Sequence, residues 1–433
     1  MFFSIAFALD ASLSVMYYAS NLIQEPHMIQ RLETLYYQCL RHIEQDLAPF
    51  HMLVGANGSG KTTFLDAIAF LGDFVRDGLD AAIYSRASEL RDLTWHGFAD
   101  RFEIAVELSV PAHESNLFSD RDFSRCRYEI AIGVVEENSD VGILSERVLL
   151  LTDIQRDDRA VQESLFAVEG PTPQTLSTPR LRGVKTIVNK VPGGNDKFYD
   201  ESGAGWDPSF KLGAKRSALG NLPEDEARFP VATWLKHTLS NSIHKFDLNG
   251  ERIRRPSPPG QPRNLLSDGT NLPWVVADLK VNEPDRHAAW LALLRTVLPG
   301  LSTVYTVVRP EDQHCYLVVK HHNDLETPSW MLSDGTLRLL ALTLLAYVPD
   351  GDGICLLEVP ENGLHSGAVE AVFKAFSAVA QHEDRARAQI LTTTHSPVVL
   401  DLADPEQLLC FVTTETGATE IVPGADRGRA DGC

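Results

Sequence analysis

The stretch His51-Met-Leu-Val-Gly55-Ala-Asn57-Gly58-Ser59-Gly60-Lys61-Thr62-Thr63-Phe64 decides the fold. It is a short apolar run, a Gly-rich turn, and the start of a segment in which Phe64, Leu65, Ile68, Leu71, Phe74 and Val75 recur at helical spacing. Strand, loop and amphipathic helix are therefore predicted in that order. Between strand and helix stands the full pattern G-x-x-x-x-G-K-[ST], from Gly55 to Thr62. That context separates a phosphate-binding loop from a chance Gly-rich turn. Glycines let backbone N–H groups turn inward around a polyphosphate, and the helix N-terminus adds a partial positive charge. Lys61 is expected to reach the β and γ phosphates of a bound triphosphate and the Thr62 hydroxyl to bind Mg²⁺. Asn57, Gly58, Ser59, Gly60 and Thr63 complete the expected nucleotide-binding set.

The composition around this loop is that of a folded protein. Of 433 residues, 44% are hydrophobic and 23% charged, which excludes global disorder and fibrous repeats. The length suits two to three domains, or one large domain with an insertion. The net charge of −20 repels phosphate backbones, so a nucleic-acid contact would need a local basic patch. Six cysteines are scattered with no C-x-x-C pair, against a disulfide framework or zinc site and in favour of a reducing cytoplasm. The apolar N-terminus has no basic residue ahead of it and is interrupted at Asp10. A signal peptide and a membrane span are both excluded on those grounds, and residues 1–27 are expected to be an extension.

Working outward, FEIAVELSV (102–110), CRYEIAIGVV (126–135) and GILSERVLLLTD (142–153) alternate and predict an antiparallel sheet. Residues 155–265 are rich in Pro, Gly and charge, and only WLKHTLSNSIHKF (234–246) resembles a helix there. This span is expected to be an inserted, loop-rich α+β subdomain. Regular patterns then return: helices near Trp274–Leu279 and Arg286–Leu298, strands VYTVVRP and HCYLVVKHH, and a final alternation of helix and apolar strand typical of a parallel sheet. The division predicted is 1–27, 28–154, 155–265 and 266–433, the second and fourth segments forming one head.

Three further segments carry chemistry. Ser333-Asp334-Gly335-Thr336 opens a long apolar-periodic helix, whereas the same LSDGT at 266–270 leads no comparable helix and is read as structural. Ile354-Cys-Leu-Leu-Glu358-Val359-Pro360-Glu361-Asn362-Gly363-Leu364-His365 places a carboxylate at the end of a buried strand, where an Mg²⁺ shell needs one. Ile390-Leu-Thr-Thr-Thr-His395 puts a histidine at the end of another apolar strand.

In this order and spacing the segments resemble the signature, Walker B, D-loop and switch histidine of ABC-type ATPases. The branch resembled is the RecF/SMC/OLD-like one, often described as AAA-family ATPases. The long interval from Lys61 to Ser333 is like RecF and OLD heads and unlike a transporter cassette. The resemblance implies an α/β P-loop NTPase fold: a parallel-sheet core with an antiparallel β lobe. It implies a homodimer, or a higher oligomer, that sandwiches ATP. Ser333, Asp334 and Gly335 would then act on the partner protomer's nucleotide, Glu358 would support the metal and His395 would sense the γ-phosphate.

One position departs from the pattern. Where the family carries a second carboxylate to orient the attacking water, this chain has Val359, which implies slow hydrolysis with Glu361 as the substitute. No Gln follows the first β segment, and the WHGF stretch around His96 is the candidate Q-loop. Only residues 396–433 follow the switch histidine, so an ATPase without its own TOPRIM nuclease is expected. A separately encoded effector such as a nuclease, in bacterial anti-phage defence or DNA repair, is what the resemblance implies. The rival readings are a non-catalytic ATP-gated scaffold and a DNA-end-binding clamp. For the clamp, Arg125, Arg127, Arg180, Arg182, Lys185 and Lys190 would have to form a basic face; solvated loop charge is the simpler expectation. His314, His321 and His322 read as surface histidines.

Overall fold

The computed structural model describes residues 28–97, 99–111, 123–135, 140–152, 172–202, 207–348, 353–381 and 388–425. The expected extension 1–27, and the part of the expected insert up to residue 171, lie outside them. In chain order the elements are β1 (Ile29–Tyr37), β2 (Leu40–Asp46), β3 (Phe50–Gly55), α1 (Lys61–Asp77), α2 (Leu79–Tyr84), β4 (Arg101–Ser109), β5 (Phe123–Val135) and β6 (Asp140–Thr152). Then come β7 (Val184–Lys190), β8 (Asp196–Phe198), β9 (Ser209–Phe210), α3 (Pro230–Asn241), β10 (Ile243–Phe246), α4 (Gly250–Ile253), α5 (Leu272–Asn282) and α6 (Pro284–Val297). The remainder is β11 (Leu301–Val308), β12 (Cys315–His321), β13 (Glu326–Pro328), α7 (Asp334–Leu345), β14 (Gly353–Leu357), α8 (Ser366–Gln381), β15 (Ala388–Thr393), α9 (Pro397–Leu402), β16 (Leu408–Thr413) and β17 (Thr419–Pro423).

The core is a six-stranded sheet ordered β10-β14-β15-β3-β16-β17, parallel except for the last pair. Alternation along β3 divides its side chains between two hydrophobic layers. Leu53 packs into the layer built by α1, α3 and the antiparallel sheet, while Phe50, Met52 and Val54 face the layer of α5 to α9 and the small sheet β11-β12-β13. The apolar stripe of α1 is consequently closed in: Phe64, Leu65, Ile68, Leu71 and Phe74 are all buried. Each such side chain contributes about 1.5–3 kcal/mol of burial.

The antiparallel sheet is larger than the alternating segments alone predict. Its order is β2-β1-β4-β5-β6-β7-β8-β9, so three strands of the span 155–265 extend it. From the same span, α3 packs on α1 and β10 completes the edge of the parallel sheet. The described part of 155–265 is thus shared between the two sheets rather than gathered into a body of its own. WLKHTLSNSIHKF is likewise two elements: the helix stops at Asn241 and residues 243–246 are a strand.

Arg125 and Arg127 correct the sequence reading, since they belong neither to a solvated loop nor to a basic groove. Arg127 is 1% exposed and pairs with Glu33, with Glu107 at 3.1 Å and with Glu129 at 2.7 Å. Arg125 pairs with Glu107 at 2.7 Å. The cover is the segment 175–178, whose Leu176 and Thr178 N–H groups donate to Glu103 and Glu129. Burial alone would lower the Arg127 guanidinium pKa, but the hydrogen bonds and charges of Glu33 and Glu129 raise it above the usual arginine value. Lys190 is also buried, paired with Asp196 at 2.8 Å. Among the described residues no helix is long and apolar enough to cross a membrane.

Candidate functional site

The loop after β3 is shaped by its neighbours as much as by its glycines. A Cβ on Gly55, at φ 145°, would stand 2.2 Å from the Phe411 carbonyl oxygen of β16. Gly60, at φ 100°, would carry a Cβ 2.3 Å from Thr419 Oγ1, which donates to the Ser59 carbonyl at 2.9 Å. Only glycine fits either place. Lys61 Nζ donates to the Gly55 and Ala56 carbonyls at 2.9 and 2.7 Å, closing the loop on itself. Burial lowers the pKa of this ammonium below the usual lysine value. Ser59 Oγ is buried with no hydrogen-bond partner among the described residues, while Ala56, Asn57 and Gly58 are exposed.

Sheet order brings the other motifs to this loop. β15 lies between β14 and β3, so residues following β14 and β15 emerge beside the Gly-rich turn at the carboxyl edge of the parallel strands, where open α/β sheets hold ligands. Glu358, the first residue after β14, has Oε2 3.5 Å from Thr62 Oγ1 and Oε1 2.8 Å from Lys245 Nζ. Two hard oxygens at that separation suit a divalent cation. Among the described residues no three His, Cys, Asp or Glu side chains are grouped so that they could hold a metal ion by themselves. A cation here would accordingly draw its other ligands from phosphate and water. The residues present fit Mg²⁺ beside a bound polyphosphate.

Val359 has φ 43°, a left-handed conformation that is strained for a β-branched side chain. Its N–H donates to Thr393 Oγ1 at 2.9 Å. Glu361 Oε1 accepts the Thr394 hydroxyl at 2.7 Å and the His395 N–H at 2.9 Å. Its Oε2 is buried and has no hydrogen-bond partner among the described residues. The His395 residue itself is exposed.

The Ser333 segment forms a second surface. Ser333 caps α7, accepting the Thr336 N–H at 3.2 Å. Arg254 pairs with Asp334 at 2.8 Å, and a Cβ on Gly335 would stand 2.6 Å from the Gly363 carbonyl oxygen. Arg338 donates to the Asn362 carbonyl at 2.9 Å. Ser333, Gly335 and Thr336 line an open cleft of about 350 Å³ together with Gly363, Leu364 and His365. Thr62 thus meets Glu358, and Glu361 meets Thr394 and His395, on neighbouring strand ends beside the loop that Lys61 closes, while Gly335 lies against Gly363 and Arg338 ties α7 to Asn362. The Q-loop candidate His96 packs against Trp95 and beside Gly417. Sequence reasoning missed Lys245, Thr393 and Thr419; the Asn241-Ser242 break ahead of IHKF was the one available signal for the strand that carries Lys245.

Comparison with known proteins matches residues 50–401 to the family described as "AAA domain, putative AbiEii toxin, Type IV TA system". No curated protein matches. Among solved structures, one similar chain is described as an SmcHead bound to the C-winged helix domain of ScpA. It is 16% identical with a TM-score of 0.50, over 91% of this chain and 97% of that one. A second is an Smc head domain with an extended coiled coil bound to the C-terminal domain of ScpA, from Pyrococcus furiosus. It is 15% identical with a TM-score of 0.48, over 92% and 96% of the two chains. The likeness to the first is one of fold: an ABC-type P-loop head with parallel core and antiparallel lobe.

Proposed function

The chain belongs to this AbiEii-type AAA-domain family, and from that premise we propose that it binds ATP, hydrolyses it slowly, and uses the bound state to dimerise and control a partner effector. The observation that carries the reading is the convergence of Lys61, Thr62, Glu358, Glu361 and His395 at one edge of the sheet, with a valine where water would be oriented. Backbone N–H groups of residues 57–60 and the Lys61 ammonium hold the phosphates. Thr62 and Glu358 hold the cation. When bound, Mg²⁺ neutralises charge on the β and γ phosphates. His395, held at its backbone by Glu361, senses the γ-phosphate.

Ser333 and Gly335 line the open cleft and, with Asp334, meet the nucleotide of the second protomer, so that ATP joins two heads and its loss releases them. Residues 28–154 and 266–433, with α3 and β10, make up the head. The partner is a separately encoded effector such as a nuclease, and the setting is bacterial anti-phage defence or DNA repair.

Phosphate release and light scattering on one purified sample test this, with Lys61→Ala as the blank. Slow turnover and ATP-dependent assembly, both lost in the variant, are expected. Assembly without turnover would replace the enzyme by an ATP-gated scaffold, the second reading that Val359 favours. A wild type that binds no ATP would overturn both.

A further inference from the structure

Lys245 belongs to no motif, yet it is the cation nearest the carboxylate that anchors the site. It sits on β10, the edge strand of the parallel sheet, in register with Leu356 of β14. From there its ammonium reaches Glu358 Oε1 at 2.8 Å, while Oε2 of the same carboxylate faces Thr62 Oγ1 at 3.5 Å. Both side chains are partly solvated, 41% and 32% exposed. Glu358 Oε1, the oxygen that meets the ammonium, is itself buried and makes no well-angled hydrogen bond among the described residues, so the contact is a charge pair only, and with the rest of both side chains in solvent it opens at modest cost.

We propose that Lys245 is a tethered counter-ion that competes with the divalent cation for Glu358. The inference rests on the reading of Glu358 as the metal-supporting carboxylate. A divalent cation shared by Thr62 and Glu358 would lie within a few ångströms of the ammonium, and two like charges so close repel. Loading Mg·ATP therefore swings Lys245 off Glu358, and losing it lets the lysine return. The carboxylate stays neutralised in the nucleotide-free head, and Lys61 is occupied at the same time by the Gly55 and Ala56 carbonyls. Lys245 is a positioning residue in this scheme.

The test is a Mg²⁺ titration of the binding of a fluorescent, non-hydrolysable ATP analogue, read by anisotropy on the full chain. Lys245→Met should reach half-maximal binding at about two- to fivefold lower Mg²⁺ than wild type, the range a half-exposed ion pair supports. Lys245→Arg, which keeps the charge, should stay near wild type. An unchanged midpoint in Lys245→Met would overturn the proposal, and a higher one would do so by making the lysine a phosphate ligand. A second measurement needs no variant: lysine-reactive labelling read by mass spectrometry should increase at Lys245 when Mg²⁺ and the analogue are added, and equal labelling counts against it. If the wild type binds no analogue at any Mg²⁺ concentration, the ATP-site reading itself fails and takes this inference with it.

Discussion

Glu361 accepts the backbone N–H of His395 at 2.9 Å, and the same carboxylate oxygen takes the Thr394 hydroxyl at 2.7 Å. The turn after β14 and the turn after β15 are thereby tied by one acidic side chain. Its second oxygen is left buried without a hydrogen bond among the described residues. Glu361 is placed both to hold the His395 turn and to offer a lone carboxylate oxygen beside it.

Glu361→Gln separates those tasks, because an amide oxygen still accepts from Thr394 and His395 but carries no negative charge. ATP binding should stay within about threefold of wild type while residual turnover falls at least about tenfold, on the scale of lost acid–base catalysis. Steady-state phosphate release beside equilibrium binding checks this, and unchanged turnover would reduce Glu361 to a clamp.

Val359→Glu restores a carboxylate where one is missing, so turnover should rise by about tenfold or more. Val359→Gln, similar in shape and uncharged, should remain as slow as wild type. Equal rates for the wild type and the glutamate variant would remove position 359 as the limit on hydrolysis.

Gly60→Ala forces a Cβ to 2.3 Å from Thr419 Oγ1 at a φ of 100°. Nucleotide affinity should fall at least about tenfold as the loop shifts, and the nucleotide-free protein should melt earlier, losing about 1–3 kcal/mol to the strained backbone. Binding titrations beside melting curves give both numbers, and wild-type affinity would show that the loop tolerates the shift.

Arg127→Met strands Glu33, Glu107 and Glu129 in a buried layer without their common cation. Removing one partner of a buried charge pair costs about 3–5 kcal/mol, a large fraction of a typical domain's stability. Urea unfolding should show that loss, and a variant as stable as wild type would mean the carboxylates take up protons or water at no cost.

The local part of this design was legible in the sequence. Helical spacing from Phe64 to Val75 and the G-x-x-x-x-G-K-T pattern fix β3, the loop and α1, because turn chemistry and an amphipathic stripe are properties of neighbouring residues. The order of Ser333, Glu358 and His395 was legible for the same reason. What escaped depends on contacts across the chain. Arg125, Arg127 and Glu129 alternate along β5 as a solvent-facing row would, and nothing in β5 announces that residues 175–178 fold over them. Lys245 escaped because a four-residue strand carries too little pattern to be parted from the helix before it, and its partner Glu358 lies far along the sequence.

The sheet order also has a consequence for synthesis. β3 ends at Gly55, yet the strands that flank it, β15 and β16, begin only at Ala388 and Leu408. At roughly 5–20 residues per second, the stretch from Gly55 to Ala388 takes on the order of 20 to 70 s to emerge from a ribosome. Throughout that interval the strand Phe50–Gly55 has no neighbour on either side, and its apolar face is a natural client for a chaperone. Until β15 and β16 have emerged, the Gly-rich loop stands without the strands that flank β3 in the folded sheet.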